Sequence, residues 1–340
     1  MSSESESPRY LPRTYALHGD AIVASLAEWF EREGRAFAWR ADAHDVAERT
    51  ERGVNVGDPY VVLVSEVMLQ QTQASRVAAM LPAFLARFPD VRALAAASRG
   101  DVIRAWQGLG YNNRAVRLHE TATAIVQSYG GEFPRDLARL RTLPGIGAYT
   151  ASAIACFAFG AQVPVVDVNI QRVLSRLFYK CYSVDARMAI DAITRLDAAL
   201  LPERGAYWWH QALMDLGATI CTARRPACER CPLAAHCLSA FPRIDATFGA
   251  TTAAEPMIAA TPRRIWRGRI VEVLRRMHRG LALAELIDAL PQATTLGSDD
   301  RLALRRLVSA LVAEGMLVVE ASSVRDGDVV VDATIVRLPE

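Results

Sequence analysis

Hydrophobic and polar residues recur at helical spacing through most of the first 240 positions. Over residues 20–36, Ala, Ile, Val, Leu, Trp and Phe alternate with Glu and Arg, which predicts an amphipathic helix that ends near Gly34. The same periodicity predicts helices at 60–72, 74–88, 91–96, 99–107 and 112–129. Helical spacing continues to residue 239 and no convincing strand interrupts it, so the pattern predicts a mainly α fold here.

The pattern changes in the last 78 residues, 263–340. Helical spacing predicts three helices, at 264–278, 282–290 and 299–315. Two β-rich segments follow, 316–321 and 329–336, with Arg325, Asp326 and Gly327 as the predicted turn. Three helices followed by a hairpin indicate a small winged-helix-like module, a variant of the helix-turn-helix.

Arginines crowd the first helix of this module. They are Arg263, Arg264, Arg267, Arg269, Arg275, Arg276 and Arg279. The face that they form either lies in solvent or contacts phosphate groups, and the sequence leaves both interpretations open.

Composition divides the 340 residues into further parts. Residues 1–18 are acidic and polar, which predicts a disordered tail before the helical unit of residues 19–240. Residues 241–262 are rich in Ala, Thr and Pro, which predicts a linker to the module at 263–340. Inside the helical unit, residues 41–57 are charged and aperiodic and are predicted to form a solvated loop.

The small net charge excludes a strongly positive electrostatic potential over the whole surface of the protein. The formal net charge is only +2, so any face that binds DNA must be local. The N-terminal segment has no apolar signal core, and no run reaches the roughly 18 apolar residues that a membrane helix needs. We therefore expect a cytoplasmic protein without membrane association.

A single carboxylate, Glu66, interrupts an apolar helical stretch that begins near Pro59. Burial raises the pKa of a carboxylate, and this is how a protein keeps a proton donor near neutral pH. The alternative is an ordinary surface glutamate on an amphipathic helix. The stretch alone does not decide between them.

The segment 143–147, Leu-Pro-Gly-Ile-Gly, separates two predicted helices. Gly145 and Gly147 allow a tight turn and a close approach of the backbone to a ligand. Because the amides at a helix N-terminus favour anions, a phosphate is the natural ligand of such a turn. The alternative is a plain helical hairpin with a glycine turn.

Asp167 stands at the predicted start of another amphipathic helix. It is expected to cap that helix, whose N-terminus should keep the carboxylate charged. Two carboxylates with pKa values pushed apart, Glu66 and Asp167, would suit cleavage of a glycosidic bond. Asp167 as a simple helix cap is the alternative.

Four of the six cysteines lie close together with gaps of six, two and five residues. They are Cys221, Cys228, Cys231 and Cys237. Four thiolates at these gaps predict one closed metal site, and the spacing alone leaves zinc and an iron–sulfur cluster open. Cys156 and Cys181 are predicted to be inert buried thiols.

Five ordered motifs together resemble a known family. They are residues 65–73 (Ser-Glu-Val-Met-Leu-Gln-Gln-Thr-Gln), 108–111 (Gly-Leu-Gly-Tyr), 143–147, 166–169 (Val-Asp-Val-Asn) and the four-cysteine loop. They resemble the endonuclease III superfamily and, within it, the A/G-specific adenine DNA glycosylases of the MutY type, over residues 20–240.

The resemblance implies a mainly α helix-hairpin-helix DNA glycosylase fold. A helical barrel would occupy about residues 58–165, and a cluster domain would be built from 19–57 and 166–240. The cysteine loop would hold a [4Fe–4S] cluster. The partner would be double-stranded DNA containing a mismatch, bound by a monomer associated with the bacterial nucleoid.

The resemblance also implies the catalytic roles. Glu66 would protonate N7 of adenine, and Asp167 would stabilise the oxocarbenium-like sugar or act as a transient nucleophile. Asn169 would orient Asp167. Tyr149 stands where members with strong lyase activity carry a lysine, so base removal without efficient strand cleavage is expected.

Further residues are implied to contact DNA. The flipped base would enter a pocket lined by Trp39, Arg40, Leu69 and Gln211. The base stack would be wedged open by Gln71 and Tyr111. The opposite purine would be faced by Thr72 and Leu109. The strand beside the lesion would be held by the amides around Gly145 and Gly147.

The chain departs from the family in two places. Phe37-Ala38-Trp39 stands where the family has Leu-Pro-Trp. Residues 263–340 do not resemble the Nudix-like domain with which many members read 8-oxoguanine. The predicted function is removal of adenine opposite 8-oxoguanine or guanine. The alternatives are a thymine mismatch glycosylase and a non-catalytic iron–sulfur DNA-binding regulator.

Overall fold

The computed structural model describes most of the chain. The described residues are 13–41, 55–181, 188–241, 255–277, 279–320, 325–326, 329–330 and 334–340. Most of the predicted tail and of the 41–57 loop, the first part of the predicted linker, and Gly327 of the predicted turn lie outside them.

Helices dominate the described residues. In chain order they are α1 Arg13–Glu33, α2 Pro59–Leu69, α3 Ala74–Arg87, α4 Val91–Ala96, α5 Arg99–Ala105, α6 Asn113–Tyr129, α7 Leu137–Thr142, α8 Ala148–Phe159, α9 Val168–Tyr179, α10 Ile190–Leu200, α11 Ala206–Thr219, α12 Arg263–Arg275, α13 Leu283–Asp288 and α14 Ser298–Ala313. Short 3₁₀ turns lie at Cys228–Arg230, Ala234–His236 and Ala293–Thr295. Among these helices none is both long and apolar enough to span a membrane.

The strands are short and belong to the C-terminal part of the chain. They are β1 Met257–Ile258, β2 Thr261–Pro262, β3 Leu281–Ala282, β4 Val318–Val319, β5 Arg325–Asp326, β6 Val329–Val330 and β7 Ile335–Arg337. β1 pairs with β2, β5 pairs with β6, and the remaining three form an antiparallel sheet in the order β3-β7-β4.

The chain divides into two compact units. The first draws on Met1–Leu63, Arg135–Arg141 and Ile146–Thr252. The second draws on Val64–Pro134, Thr142–Gly145 and Ala253–Glu340.

The first unit has a core made by α1, α9, α10 and α11. Helix α9 buries Ile170, Val173, Leu174 and Leu177, which recur at the spacing of one helical face. They pack in one cluster with residues of the other three helices, including the fully buried Trp209 of α11. The amphipathic pattern of the sequence therefore directs α9 into this core and leaves its N-terminus at the edge of the core.

The second unit contains helices α3 to α6 and the C-terminal module. Helices α4 and α5 pack against α6, around buried residues such as Ile103, Trp106 and Leu118. In the module, α12, α13 and α14 pack together around residues such as Trp266 and Leu311. Three helices with a three-stranded antiparallel sheet give the winged-helix topology that the sequence predicts.

The predicted helices are confirmed, with differences at several ends. α2 ends at Leu69 rather than at residue 72, and α12 ends at Arg275 rather than at residue 278. α1 begins at Arg13, so residues 13–18, predicted to be part of a disordered tail, are helical. Helix ends depend on capping and packing that periodicity does not report.

One prediction about the C-terminal region is wrong. Arg325 and Asp326, predicted to be a turn, form β5, which pairs with β6. The end of the predicted linker forms the β1–β2 hairpin. Its two turn residues, Ala259 and Ala260, have φ of 45° and 55°, which the two-residue turn of a hairpin requires.

Candidate active site

Glu66 is buried in helix α2. It is 7% exposed, and its neighbours from Val62 to Met68 are buried as well. The prediction of a buried carboxylate is confirmed, and a surface glutamate is excluded. Burial of an ionised carboxylate is unfavourable unless the group is hydrogen-bonded or paired, so a buried glutamate of this kind is a candidate for a functional role.

Two exposed turns follow in the same unit. Gln71, just after α2, has a φ of 57° and is exposed. Tyr111, at the end of the 108–111 turn, has a φ of 43° and is 49% exposed. A left-handed φ is uncommon outside glycine and persists only where the surroundings enforce it. Both predicted wedge residues therefore stand on restrained backbone.

Arg114 of α6 provides much of that restraint. Its Nη1 donates to the carbonyls of Val67, Met68 and Gln70 at 2.9, 2.8 and 2.6 Å. Its Nη2 donates to Thr72 Oγ1 at 3.1 Å and to the carbonyls of Leu109 and Gly110 at 3.0 and 3.1 Å. One buried guanidinium thus brings together the two turns that carry the predicted wedge and opposite-base residues.

Sequence reasoning did not identify Arg114. The feature of the sequence that could have indicated it is an arginine next to Ala115 and Val116, two apolar residues that are buried in α6 as Arg114 is. Burial lowers the pKa of Arg114 to about 10, against a smaller opposite effect of Tyr111. An arginine in that position needs many acceptors, and the two turns supply them.

The helical hairpin has the glycines where its geometry requires them. Gly145 has a φ of 77°, and an added Cβ would lie 3.2 Å from Arg117 Cβ and 3.3 Å from Thr121 Oγ1. The Thr121 hydroxyl donates to the Pro144 carbonyl at 2.6 Å and fixes the turn. Gly147 precedes α8 and has open space where a Cβ would point, which leaves room for a ligand beside the helix N-terminus.

Asp167 caps helix α9 in the first unit. Its Oδ1 accepts from the Ile170 amide at 2.7 Å, and its Oδ2 accepts from Asn169 Nδ2 at 2.7 Å. Burial raises the pKa of Asp167 above its usual value, although both hydrogen bonds and Arg172 act in the opposite direction. The expected helix cap is confirmed. Desolvation outweighs the helix N-terminus in setting the direction of the pKa shift, and the expectation that Asp167 stays charged remains a prediction.

A hydrogen-bond chain leads from Asp167 toward the cysteine loop. Asn169 Oδ1 accepts from Arg172 Nη2 at 2.9 Å. Arg172 also donates to the Gly217 carbonyl at 2.7 Å and, through Nε, to the Cys221 carbonyl at 2.9 Å. The orientation of Asn169 is therefore set by contacts that include the first cysteine of the loop.

Trp39 and Arg40 lie in a cluster around Phe37. The Phe37 and Trp39 rings stack with centroids 4.4 Å apart, and the Arg40 guanidinium lies 5.0 Å from the Phe37 ring. Arg40 donates to both carboxylate oxygens of Asp215, at 2.9 and 2.8 Å. Arg40 thus has a structural ion pair, and its predicted place in the base pocket stays a prediction.

Asp215 is a second residue that the sequence did not reveal. Its side chain is fully buried in α11, and it also accepts from Arg35 Nε at 2.8 Å. Burial acts to raise its pKa, but hydrogen bonds and positive charge from Arg40, followed by those from Arg35, hold the pKa below its usual range. Gln211, one turn earlier on α11, is 5% exposed.

The four cysteines of the loop come together. Cys221, Cys228, Cys231 and Cys237 line one cavity, together with Arg176, whose Nη1 lies 3.4 Å from Cys221 Sγ. Burial, reinforced by the neighbouring thiols, raises the pKa of Cys231 to about 12. Four such thiols ionise together only when a metal centre compensates their charge.

The donor set of this cavity is four cysteine thiols. Such a set can hold a tetrahedral zinc ion or an iron–sulfur cluster, so the residues present fit the predicted cluster without excluding zinc.

The sequence-predicted residues fall into two groups by unit. The second unit contains Glu66, Leu69, Gln71, Thr72, Leu109, Tyr111 and Gly145. The first unit contains Trp39, Arg40, Gly147, Tyr149, Asp167, Asn169, Gln211 and the four cysteines. The joint action of Glu66 and Asp167 stays a prediction.

Comparisons with known proteins agree with these features. Residues 64–184 match the HhH-GPD superfamily of base excision DNA repair proteins, and residues 221–237 match the iron-sulfur binding domain of endonuclease III. The second match confirms the predicted iron–sulfur loop. The fold also matches a thermostable thymine-DNA glycosylase, with a TM-score of 0.57 and 27% identity over 66% of this chain and 98% of that one.

Adenine DNA glycosylases are similar over most of the chain. The protein of Mycolicibacterium smegmatis is 42% identical over 263 residues, which are 77% of this chain and 83% of that protein. The human protein is 38% identical over 218 residues, 64% of this chain and 39% of that protein. The chain therefore belongs to the adenine DNA glycosylase family, within the helix-hairpin-helix superfamily of base excision repair proteins.

Proposed function

We propose that the protein removes adenine mispaired with 8-oxoguanine or guanine in double-stranded DNA, by hydrolysis of the N-glycosidic bond. The observation that carries the proposal is the buried carboxylate of Glu66, in a chain 42% identical to an adenine DNA glycosylase. The glycosidic bond is out of reach inside a duplex, so the adenine must be flipped out of the stack.

Glu66 is the proposed acid. Its proton moves to N7 of the flipped adenine, and the electron pair of the glycosidic bond then leaves with the base. The sugar becomes positively charged in the transition state, and the Asp167 carboxylate stabilises it. Water adds to the sugar carbon and gives its extra proton to the Glu66 carboxylate, which restores the acid, so the products are free adenine and an abasic site.

Asn169 and Arg172 support Asp167 in this scheme. Asn169 donates to the carboxylate at 2.7 Å, and Arg172 orients Asn169 with a hydrogen bond of 2.9 Å. The hydrogen bond from Asn169 and the positive charge of Arg172 both favour the ionised carboxylate. Without them, burial would leave the carboxyl protonated to a still higher pH. We assign Asn169 to the catalytic site because it contacts Asp167 directly.

Tyr149 sets the expected limit of the reaction. A phenol does not form a Schiff base with the sugar aldehyde, whereas a lysine amine does. The protein should therefore leave an intact abasic strand, with weak or no lyase activity.

A [4Fe–4S] cluster bound by the four cysteines would supply iron–thiolate bonds that tie the loop together.

The remaining assignments concern recognition. We propose that Trp39, Arg40, Leu69 and Gln211 line the base pocket. We propose that Gln71 and Tyr111 wedge the stack while Thr72 and Leu109 face the opposite purine. The Gly145 and Gly147 turn would hold the phosphate backbone, and the protein would act as a monomer at the nucleoid.

A thymine mismatch glycosylase is the second candidate. It is favoured by one observation, the 27% identity to a thymine-DNA glycosylase of the same fold. Single-turnover base release from duplexes with A·8-oxoguanine, A·guanine and T·guanine pairs separates the two functions. Adenine release should be the faster reaction; faster release of thymine would establish the second candidate instead.

A further inference from the structure

The C-terminal module contacts the turn that carries Tyr111. Arg275, the last residue of α12, donates from Nη2 to Asn112 Oδ1 at 2.8 Å. The same guanidinium donates to the Ile103 carbonyl of α5 at 3.1 Å from Nε and at 2.9 Å from Nη2. The Arg275 side chain is 8% exposed and Asn112 is 8% exposed, so both partners of this hydrogen bond are largely withdrawn from water.

Asn112 is the residue directly after Tyr111. It stands at the N-terminus of α6, where its carbonyl accepts from the Ala115 amide at 3.0 Å. The hydrogen bond to its side chain therefore connects the module to the junction between the turn and the helix. A buried charge-assisted hydrogen bond of this length is among the stronger ones in proteins.

The turn is one that needs to be held. Gly108, Gly110 and Tyr111 have φ of 87°, 71° and 43°, so three of its four residues are in the left-handed region. For Tyr111 this conformation is strained, and it survives only when the surroundings enforce it. Arg114 holds the carbonyls of Leu109 and Gly110 from inside the unit.

The module also packs closely around this region. A Cβ added to Gly100 of α5 would clash with the Pro339 carbonyl oxygen, so the C-terminal residues lie directly against that helix. Gln107 Nε2 donates to Glu272 Oε1 at 3.0 Å. Tyr111 lines a cleft of about 670 Å³ that Arg264 and Arg267 of the module also line.

We infer that Arg275 is a positioning residue for the Tyr111 wedge, and that the C-terminal module acts in base flipping by bracing this turn through Asn112. The inference rests on the proposed function, because it takes Tyr111 to be the wedge. It gives the winged-helix-like module a role that requires no base contact from the module itself. The brace keeps Tyr111 in its strained geometry before DNA arrives, so less binding energy is spent in ordering it.

The test uses the full-length, cluster-loaded protein with three variants. Arg275→Ala removes the brace, and Asn112→Ala removes its acceptor. Arg276→Ala is the matched control, since Arg276 is the next residue, is exposed and pairs with Glu272 rather than with the Tyr111 turn. Iron content and thermal unfolding check that each variant is folded and loaded.

The readout is unstacking rather than activity alone. A duplex with 2-aminopurine beside the target adenine reports unstacking by its fluorescence, and single-turnover base release is measured on the same sequence. Arg275→Ala and Asn112→Ala should each lower both signals about tenfold, the order expected for one charge-assisted hydrogen bond. The double variant should be no worse than either single one, because both remove the same contact.

Two results would overturn the inference. One is Arg275→Ala behaving like Arg276→Ala in the fluorescence assay. The other is Asn112→Ala behaving like the unchanged protein while Arg275→Ala is impaired, which would reduce Arg275 to a docking contact with Ile103. If Arg275→Ala fails to fold, Asn112→Ala alone decides the question. The unchanged protein decides the proposed function separately, by whether it releases adenine faster than thymine from the paired duplexes.

Discussion

Replacement of Arg114 by lysine should loosen both turns that carry the predicted wedge residues. Arg114 donates six hydrogen bonds, from two nitrogens, to five backbone carbonyls and one hydroxyl. Lysine keeps the charge but has three donors on one nitrogen. At least three of the six acceptors must therefore lose their partner.

The magnitude follows from those lost acceptors. A buried group left without a partner costs about 1–3 kcal/mol. The acceptor at Gln70 lies on an exposed residue and can bind water, so the lower end of that range applies. Arg114→Lys should therefore destabilise the fold by about 3 kcal/mol, and Arg114→Met, which removes all six hydrogen bonds, by more.

The assay is urea unfolding of the cluster-loaded protein, followed by far-ultraviolet circular dichroism. Arg117→Met is the control, because Arg117 is exposed one turn later on the same helix and should change stability by less than about 0.5 kcal/mol. The reasoning is refuted if Arg114→Lys unfolds at the same urea concentration as the control. Unstacking by the variant should also fall, because Gln71 and Tyr111 lose their support.

Three further predictions concern buried carboxylates and exposed arginines. Asp215→Asn should lower the free energy of unfolding by about 3 kcal/mol at pH 7. Because the folded-state pKa of Asp215 is lowered, its stabilising contribution is present above about pH 4 and is lost as the pH falls through the folded pKa. The difference between the variant and the unchanged protein in urea unfolding should therefore shrink at low pH. An equal cost at pH 7 and at pH 3 would contradict this. Asn169→Ala removes a hydrogen bond that lowers the pKa of Asp167, so the acid limb of the single-turnover rate should move to higher pH; an unmoved limb, or one moved to lower pH, would show that Asp167 does not set it. Arg224 and Arg225 are exposed on the cysteine loop, and replacing both by alanine should flatten the plot of log affinity against log salt by about 1.8 if each contacts a phosphate; an unchanged slope would exclude those contacts.

The sequence predicts the elements and the motifs of this protein well, because their signals are local. Helical periodicity finds α2 to α6 within a few residues, and the spacing of the cysteines finds the cluster loop. The hairpin glycines are recognisable for the same reason, since the turn that needs them is written in five consecutive residues.

The supporting contacts could not be predicted, because they join distant parts of the chain. Arg40 and Asp215 are 175 residues apart in sequence, and Asn112 and Arg275 are 163 apart. The pKa of Asp167 illustrates the same limit. Its helix cap is a local feature, but the burial that raises its pKa comes from the packed unit, which no short motif describes.

The account depends most directly on the proton that Glu66 is proposed to deliver. The measurement is single-turnover adenine release from an A·8-oxoguanine duplex by the cluster-loaded protein and by Glu66→Gln, with duplex affinity measured in parallel. Glutamine keeps the size of the side chain but cannot supply the proton, so the rate should fall by about 10²–10⁴-fold while affinity stays nearly unchanged. Release of adenine by Glu66→Gln at the rate of the unchanged protein would contradict the account.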